Sequence, residues 1–241
     1  MLLALILAAQ DPTFTAVELF HRCSPSIVTV IGSATDSTGT AISQGSAFYV
    51  GRDKDGRDLY ATCYHVVKGM SPIALEDGAG GNLGTAKVWK EDDAHDLALI
   101  WLQKPREGIE PLVVPESSEA LFLPGDRIYA IGTPRGVENI ISEGIVGGFE
   151  RQNGLLPVSL PLSHGSSGCP IIATDGSVVG MADSTAENAQ LVNFIEPAHT
   201  VASIIDDDTK AYAREHSSLW KEVQSAIKKK VDDIKKGSGN R

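Results

Sequence analysis

The chain has 241 residues, 42% of them hydrophobic and 22% charged, a globular composition with room for one large β-rich domain or two small ones. Its formal net charge of −10, from 21 Lys and Arg against 31 Asp and Glu, argues against a nucleic-acid partner, because phosphate binding needs a basic face. Three cysteines (Cys23, Cys63 and Cys169) are an odd number and too few for a disulfide scaffold, and no Cys/His cluster has zinc-ligand spacing, so neither a metal nor another cofactor is expected.

Residues Met1 to Ala9, M-L-L-A-L-I-L-A-A, are wholly apolar and end in small residues before Gln10-Asp11-Pro12. They read as the apolar region and cleavage end of a secretory signal over 1–10, although no Lys or Arg precedes them. The run is too short to span a bilayer, and no later run approaches that length. Export to the periplasm or the medium is expected, without stable membrane insertion; a cytoplasmic protein is the alternative. Asp11-Pro12-Thr13 then opens a short amphipathic helix, with Pro at its first position, that stops at Ser24-Pro25.

After Pro25 the pattern turns to strands. Ile27–Gly32 is followed by a Ser/Thr/Gly loop over 33–40 and by S-Q-G-S-A-F-Y-V-G, where β-branched and aromatic residues lie between glycines. A charged hairpin tip over 52–58 leads into a strand Leu59–Val67 whose end carries His65. Short strands are expected at 72–76 and 85–90, and the acids E-D-D-A-H-D then run directly into the apolar strand L-A-L-I-W-L. Strands resume within 125–136, 141–150, 176–183 and 190–197. Many short strands punctuated by Gly and Pro predict an all-β barrel or sandwich. Beyond Pro197 the apolar spacing becomes helical, over 198–206 and again over 209–236, with Leu219, Val223, Ile227, Val231 and Ile234 on one face.

Three residues carry chemistry only in combination. In Ser163–Pro170, S-H-G-S-S-G-C-P, Ser167 is flanked by Gly165 and Gly168, a turn in which backbone N–H groups can converge without side chains in the way. Alone it is an ordinary Gly/Ser surface turn. His65 alone is a packed histidine, and Asp96 alone is the acid that the following strand draws inward. Together they supply what acyl transfer by serine requires: a nucleophile, a base, an acid that orients the base, and donors for the oxyanion. The order His, Asp, Ser, with long intervals, lets each come from a different strand end. An α/β-hydrolase esterase would need the acid after the serine and alternating helices, and both are lacking.

T-C-Y-H-V-V (62–67), D-L-A-L-I (96–100) and G-S-S-G-C-P (165–170) resemble the three signatures of chymotrypsin-like serine proteases. G-S-A-F-Y-V, I-G-T-P-R-G, I-S-E-G-I-V and N-F-I-E-P-A-H-T-V resemble the HtrA (Deg) branch. The resemblance spans about Pro25–Ile205 and implies two six-stranded antiparallel β-barrels, meeting near 105–120, within a protease domain of 11–205 followed by a helical tail of 206–241. It implies Ser167 as nucleophile, His65 as general base and acid, Asp96 as orienting carboxylate, and the N–H groups of Gly165 and Ser167, with Ser166 as a third candidate, as oxyanion hole. Pro161, Leu162, Met181, Ala182 and Val192 would line an apolar primary pocket for a small or aliphatic side chain of a polypeptide substrate.

Departures from the family pattern bear on that reading. HtrA proteins usually continue into a peptide-binding PDZ domain, and the residues after 205 are too few for one. Ser166 and Cys169 stand where the family usually has Asn and a small residue, so a protease homologue without activity, serving as a binding module, is the competing reading. Cys63 lies two residues before His65 and Cys169 two residues after Ser167, which leaves open a bridge between them or two buried thiols. Phe14 and Phe20 could serve homo-oligomerisation or pack on their own barrel.

Overall fold

The computed structural model describes residues 14–37, 39–116, 122–133, 139–163, 165–184, 193–225 and 228. The apolar leader, Pro12, His164, Val192, and Ile227, Val231 and Ile234 of the tail lie outside them. The first helix, α1 (Ala16–Cys23), begins where Thr15 and Glu18 form a capping box: the Thr15 hydroxyl accepts the Glu18 N–H at 3.2 Å and the Glu18 carboxylate accepts the Thr15 N–H at 2.8 Å. The helix ends in the 3₁₀ turn Ser24–Ser26. Phe14 and Phe20 are half-buried against the neighbouring core, so this segment packs on its own barrel.

Among the described residues twelve strands follow. β1 (Ile27–Asp36), β2 (Gly39–Arg52), β3 (Asp58–Cys63), β4 (Ile73–Glu76), β5 (Asn82–Asp92) and β6 (Leu97–Leu102) close into an antiparallel barrel in the order β1-β2-β3-β6-β5-β4. β7 (Arg127–Gly132), β8 (Ile140–Ile145), β9 (Leu156–Val158), β10 (Pro170–Ala173), β11 (Val178–Ser184) and β12 (Asn193–Pro197) form a second antiparallel sheet, ordered β8-β7-β10-β11-β12-β9. This sheet curls until its outer strands meet: Val146 bridges Val158, and the Gly147 N–H donates to the Pro157 carbonyl at 2.8 Å.

The two layers share an interior because strands of the second sheet alternate between two apolar faces. Ile128, Ala130, Ile171 and Ala173 pack into that sheet's own core, while Tyr129, Ile131 and Ile172 turn towards the core of the first barrel. Alternation within fully apolar runs therefore marks strands covered on both sides. The loops that carry the site emerge where the layers meet.

Three sequence expectations need correction. The segment 33–40 is ladder rather than loop, for β1 and β2 pair residue by residue out to Asp36 and Gly39. There the hairpin extends beyond the core and exposes both faces, with Ile42 73% exposed, so no burial pattern marks it. The strand expected over Leu59–Val67 stops at Cys63 and becomes a helical turn, α2 (Tyr64–Val67), which buries Val66 and Val67 and leaves His65 facing outward. The single helix expected over 209–236 is interrupted. α3 (Ala198–Ile204) and α4 (Asp207–His216) are followed by a break at the buried Ser217, whose hydroxyl accepts the Trp220 N–H at 3.3 Å and starts a further helical segment over 218–225. Leu219 and Val223 are buried on its inner face, as their spacing requires.

Candidate active site

His65 and Asp96 come from the same end of the first barrel. Asp96 ends the turn between β5 and β6 with φ 51°, the one positive φ outside glycine among the described residues. A side chain in that region costs on the order of 1–3 kcal/mol and persists only where its surroundings impose it. Three hydrogen bonds to α2 do so. The Asp96 carbonyl accepts the Tyr64 N–H at 2.9 Å, Oδ1 accepts the His65 N–H at 2.7 Å, and Oδ2 lies 2.5 Å from His65 Nδ1. Asp96 thus fixes the turn that carries His65 as well as the orientation of its ring. The hydrogen bond to Asp96 raises the pKa of His65 above its ordinary 6.5, against the effect of partial burial, and the bonds from His65 hold Asp96 below its ordinary 3.8 although burial pushes the other way.

Ser167 comes from the other sheet, on the connection between β9 and β10. Two consecutive turns build this connection. The Ser166 N–H donates to the Ser163 carbonyl at 2.9 Å with Gly165 in the third position at φ 92°, and the Cys169 N–H donates to the Ser166 carbonyl at 2.9 Å with Gly168 in the third position at φ 86°. The second of these, with Gly168 left-handed after a Ser167 that is not, is a type II turn, and both place glycine where the left-handed backbone calls for it. The G-S-S-G spacing is the requirement of two such turns in series. Of the three candidate oxyanion donors, the Ser166 N–H is taken by Ser163, whereas those of Gly165 and Ser167 donate to no acceptor among the described residues.

The first barrel holds this loop from below. The Ser46 N–H donates to the Ser167 carbonyl at 2.8 Å, and Ser46 Oγ donates to the Gly165 carbonyl at 2.9 Å while accepting the Thr133 N–H at 3.1 Å. The Thr62 hydroxyl donates to the Ser46 carbonyl at 2.7 Å, and a Cβ on Gly168 would stand 2.1 Å from that same carbonyl oxygen. Ser46 is fully buried. In the sequence it is only part of the strand G-S-A-F-Y-V, since its role exists only once β2 passes beneath the loop.

Ser167 Oγ donates to the Asp183 carbonyl at 3.2 Å, and no hydrogen bond joins it to His65 among the described residues. Asp183, near the end of β11, is not singled out by the sequence, in which Asp96 is marked by the apolar strand that follows it and Asp183 closes one instead. Cys63, His65, Asp96 and Asp183 each bring one polar atom within 4.8 Å of the others. A cation there would have to displace the hydrogen bonds between His65 and Asp96, and would need the thiolate of Cys63. Burial holds that thiol well above its ordinary pKa, and it donates to the Ala182 carbonyl at 3.1 Å. The four side chains fit an acid–base cluster better than a metal centre. Burial, reinforced by Asp96, pushes Asp183 up to about 6, and burial, reinforced by Asp183, pushes Glu196 on β12 up to about 7.

Among the residues expected to line a pocket, Met181 and Ala182 are buried in the two cores, Leu162 packs against the second core, and Pro161 is exposed. Ala182 serves the frame through its backbone, its carbonyl accepting the Gly168 N–H at 2.8 Å as well as the Cys63 thiol. The three cysteines are free and buried. Cys169 fits because Gly132 lies opposite, where a Cβ would stand 2.8 Å from Cys169 Cβ. Ser166 turns its hydroxyl to accept the Ser163 N–H at 3.2 Å. A cavity of about 270 Å³ between Phe122, Phe149, Pro197 and His199 includes neither the Ser167 turn nor the His65–Asp96 pair.

Residues 45–181 match the trypsin-like peptidase domain. Protease Do-like 1, chloroplastic, of Arabidopsis thaliana is 26% identical over 215 residues, covering 82% of this chain and 48% of its own length. Serine protease HTRA1A of Danio rerio is 27% identical over 184 residues, 72% of this chain and 36% of its own length. The anti-sigma-I factor RsgI9 of Acetivibrio thermocellus is 31% identical over 184 residues, 75% of this chain and 25% of its own length. The chain thus spans between a quarter and about half of these relatives. The crystal structure of the serine endoprotease from Yersinia pestis superposes with a TM-score of 0.66 at 20% identity, over 83% of this chain and 67% of that one. By sequence and by fold, the chain belongs to the trypsin-like peptidase family and is related to the HtrA and Do-like proteases.

Proposed function

We propose that the chain is a serine endopeptidase in which Ser167 is the nucleophile, His65 the general base and acid, and Asp96 the carboxylate that orients His65. The observation that carries this reading is the Ser167 loop: two glycine turns present Ser167 and leave the N–H groups of Gly165 and Ser167 without acceptors among the described residues, while an aspartate already holds the histidine. In this reading Ser167 Oγ leaves the Asp183 carbonyl to engage the free nitrogen of His65. As Oγ attacks the peptide carbonyl, His65 takes its proton, and the two N–H groups receive the developing oxyanion. His65 then gives the proton to the departing amine, leaving an acyl group on Ser167. A water molecule repeats the sequence, its proton passing to His65 and then to Ser167 Oγ as the acid product leaves. The substrates are polypeptides, and the apolar surroundings of Leu162 and Ala182 favour a small or aliphatic residue before the cleaved bond.

Cleavage of an unfolded polypeptide tests this reading: the native chain cuts it and Ser167→Ala, equally folded, does not. Cleavage that survives the substitution contradicts the assignment. A second reading, a homologue without activity that uses the same cleft for binding, draws on one observation, the hydrogen bond from Ser167 Oγ to Asp183 in place of one to His65. Binding of polypeptides without any cleavage would support it.

A further inference from the structure

Residue 183 meets the site twice. Its backbone carbonyl accepts Ser167 Oγ at 3.2 Å, and its carboxyl belongs to the cluster in which Cys63, His65, Asp96 and Asp183 have polar atoms within 4.8 Å of one another. The groups around it come from every neighbouring element. His65 is on α2, Asp96 on the β5–β6 turn and Cys63 on β3, while the buried Glu196 lies behind on β12, with His95 and Asp92 beyond it. No lysine or arginine pairs with Asp183 among the described residues, so only the imidazoles oppose the accumulated negative charge.

We propose that Asp183 is a positioning residue of the peptidase, sharing a proton with Asp96 so that an O–H from Asp183 and two N–H groups from His65 together hold the Asp96 carboxylate against the imidazole. This rests on the Ser167–His65–Asp96 reading. A carboxylate has about four acceptor positions on its two oxygens, and the His65 N–H and Nδ1 occupy one on each. A protonated Asp183 adds a third donor without adding charge. An ionised Asp183 instead places a second negative charge beside His65, which pushes the two carboxylates apart and makes the imidazolium harder to deprotonate. The protons on His65, Asp96 and Asp183 are therefore lost in steps that belong to the cluster rather than to single residues. Peptidase action needs His65 neutral and the shared proton in place, which is one of the singly deprotonated forms of the cluster, so activity rises with the first proton the cluster loses and falls with the second.

The test is the pH profile of kcat/KM for hydrolysis of a peptide substrate in the presence of EDTA, for the native chain, Asp183→Asn, Asp183→Leu and Ser167→Ala. Asparagine keeps an N–H for Asp96 but does not titrate. Its profile is expected to lose the alkaline limb and to keep a single acid limb, that of His65 alone, because an asparagine and a protonated Asp183 alike leave one negative charge beside the imidazolium. Leucine removes the donor, and its kcat is expected to fall roughly tenfold or more with KM nearly unchanged. A native profile without an alkaline limb overturns the proposal, as does an Asp183→Asn profile that superposes on the native one. Activity that is lost in EDTA and restored by added zinc also overturns it, assigning the cluster to a cation. Ser167→Ala separates the two levels: if it keeps activity the triad reading fails, whereas an inactive Ser167→Ala beside superposed profiles sinks the role of Asp183 alone.

Discussion

At the scale of single residues the site depends on Asp96 more than its position in the sequence suggests. It accepts three hydrogen bonds from α2 and adopts a left-handed backbone to do so. Asp96→Ala is expected to lower kcat by about 10⁴-fold, the scale seen when the orienting acid of such a triad is replaced, with a smaller change in KM. Steady-state kinetics checks this, and a loss confined to KM would contradict it. The pH dependence of the His65–Asp96 pair has a definite sign. Because the folded-state pKa of His65 is raised above 6.5, the pair contributes fully to stability below that value and loses its contribution as pH rises through the raised pKa. The acid limb of activity runs the other way, rising as the imidazolium loses its proton. His65, Asp96 and Ser167 were legible in the sequence because each is a chemically distinctive residue at the edge of an apolar strand. Asp183 closes an apolar strand instead, and only the fold brings it beside Asp96.

At the scale of elements, the Ser167 loop is held by β2 and by glycine. A methyl group at position 168 would meet the Ser46 carbonyl oxygen at 2.1 Å, in a backbone region that side chains avoid. Gly168→Ala should therefore displace the loop, abolishing activity and lowering the melting temperature; an active enzyme of native stability would rule out the two-turn description. Ser46→Ala is milder: it strips partners from the buried Thr133 N–H and the Gly165 carbonyl, at a cost of about 1–3 kcal/mol. Chemical denaturation measures that cost. The glycine spacing in G-S-S-G was visible in the sequence, but the need for it was not, since the clash lies between segments remote from each other along the chain. The β1–β2 hairpin shows the converse limit. Where a ladder runs out into solvent, polar residues on both faces look like a loop, and pairing alone makes them strands.

At the scale of the whole molecule, two cores share strands that are apolar on both faces, and this is why the chain announced an all-β architecture while concealing how the second sheet closes. The first barrel closes through continuous ladders, whereas the second meets at one bridge between residues that no local pattern pairs. The interface also holds acids that resist ionisation. Glu196 is buried and pushed from 4.5 up to about 7, so between those values the folded chain keeps a proton that the unfolded chain has lost, and stability falls as pH rises across that window. Glu196→Gln, which stays neutral, is expected to raise the melting temperature by a few degrees at pH 8 and to change it little at pH 4. Equal shifts at both pH values would locate the effect in packing instead. The most direct measurement brings both layers together: intact mass and peptide mapping after reaction with a fluorophosphonate, for the native chain, His65→Ala and Ser167→Ala. The expected result is one adduct on Ser167 in the native chain, slow formation in His65→Ala and none in Ser167→Ala; an unlabelled native chain, or an adduct that persists in Ser167→Ala, would contradict the peptidase assignment.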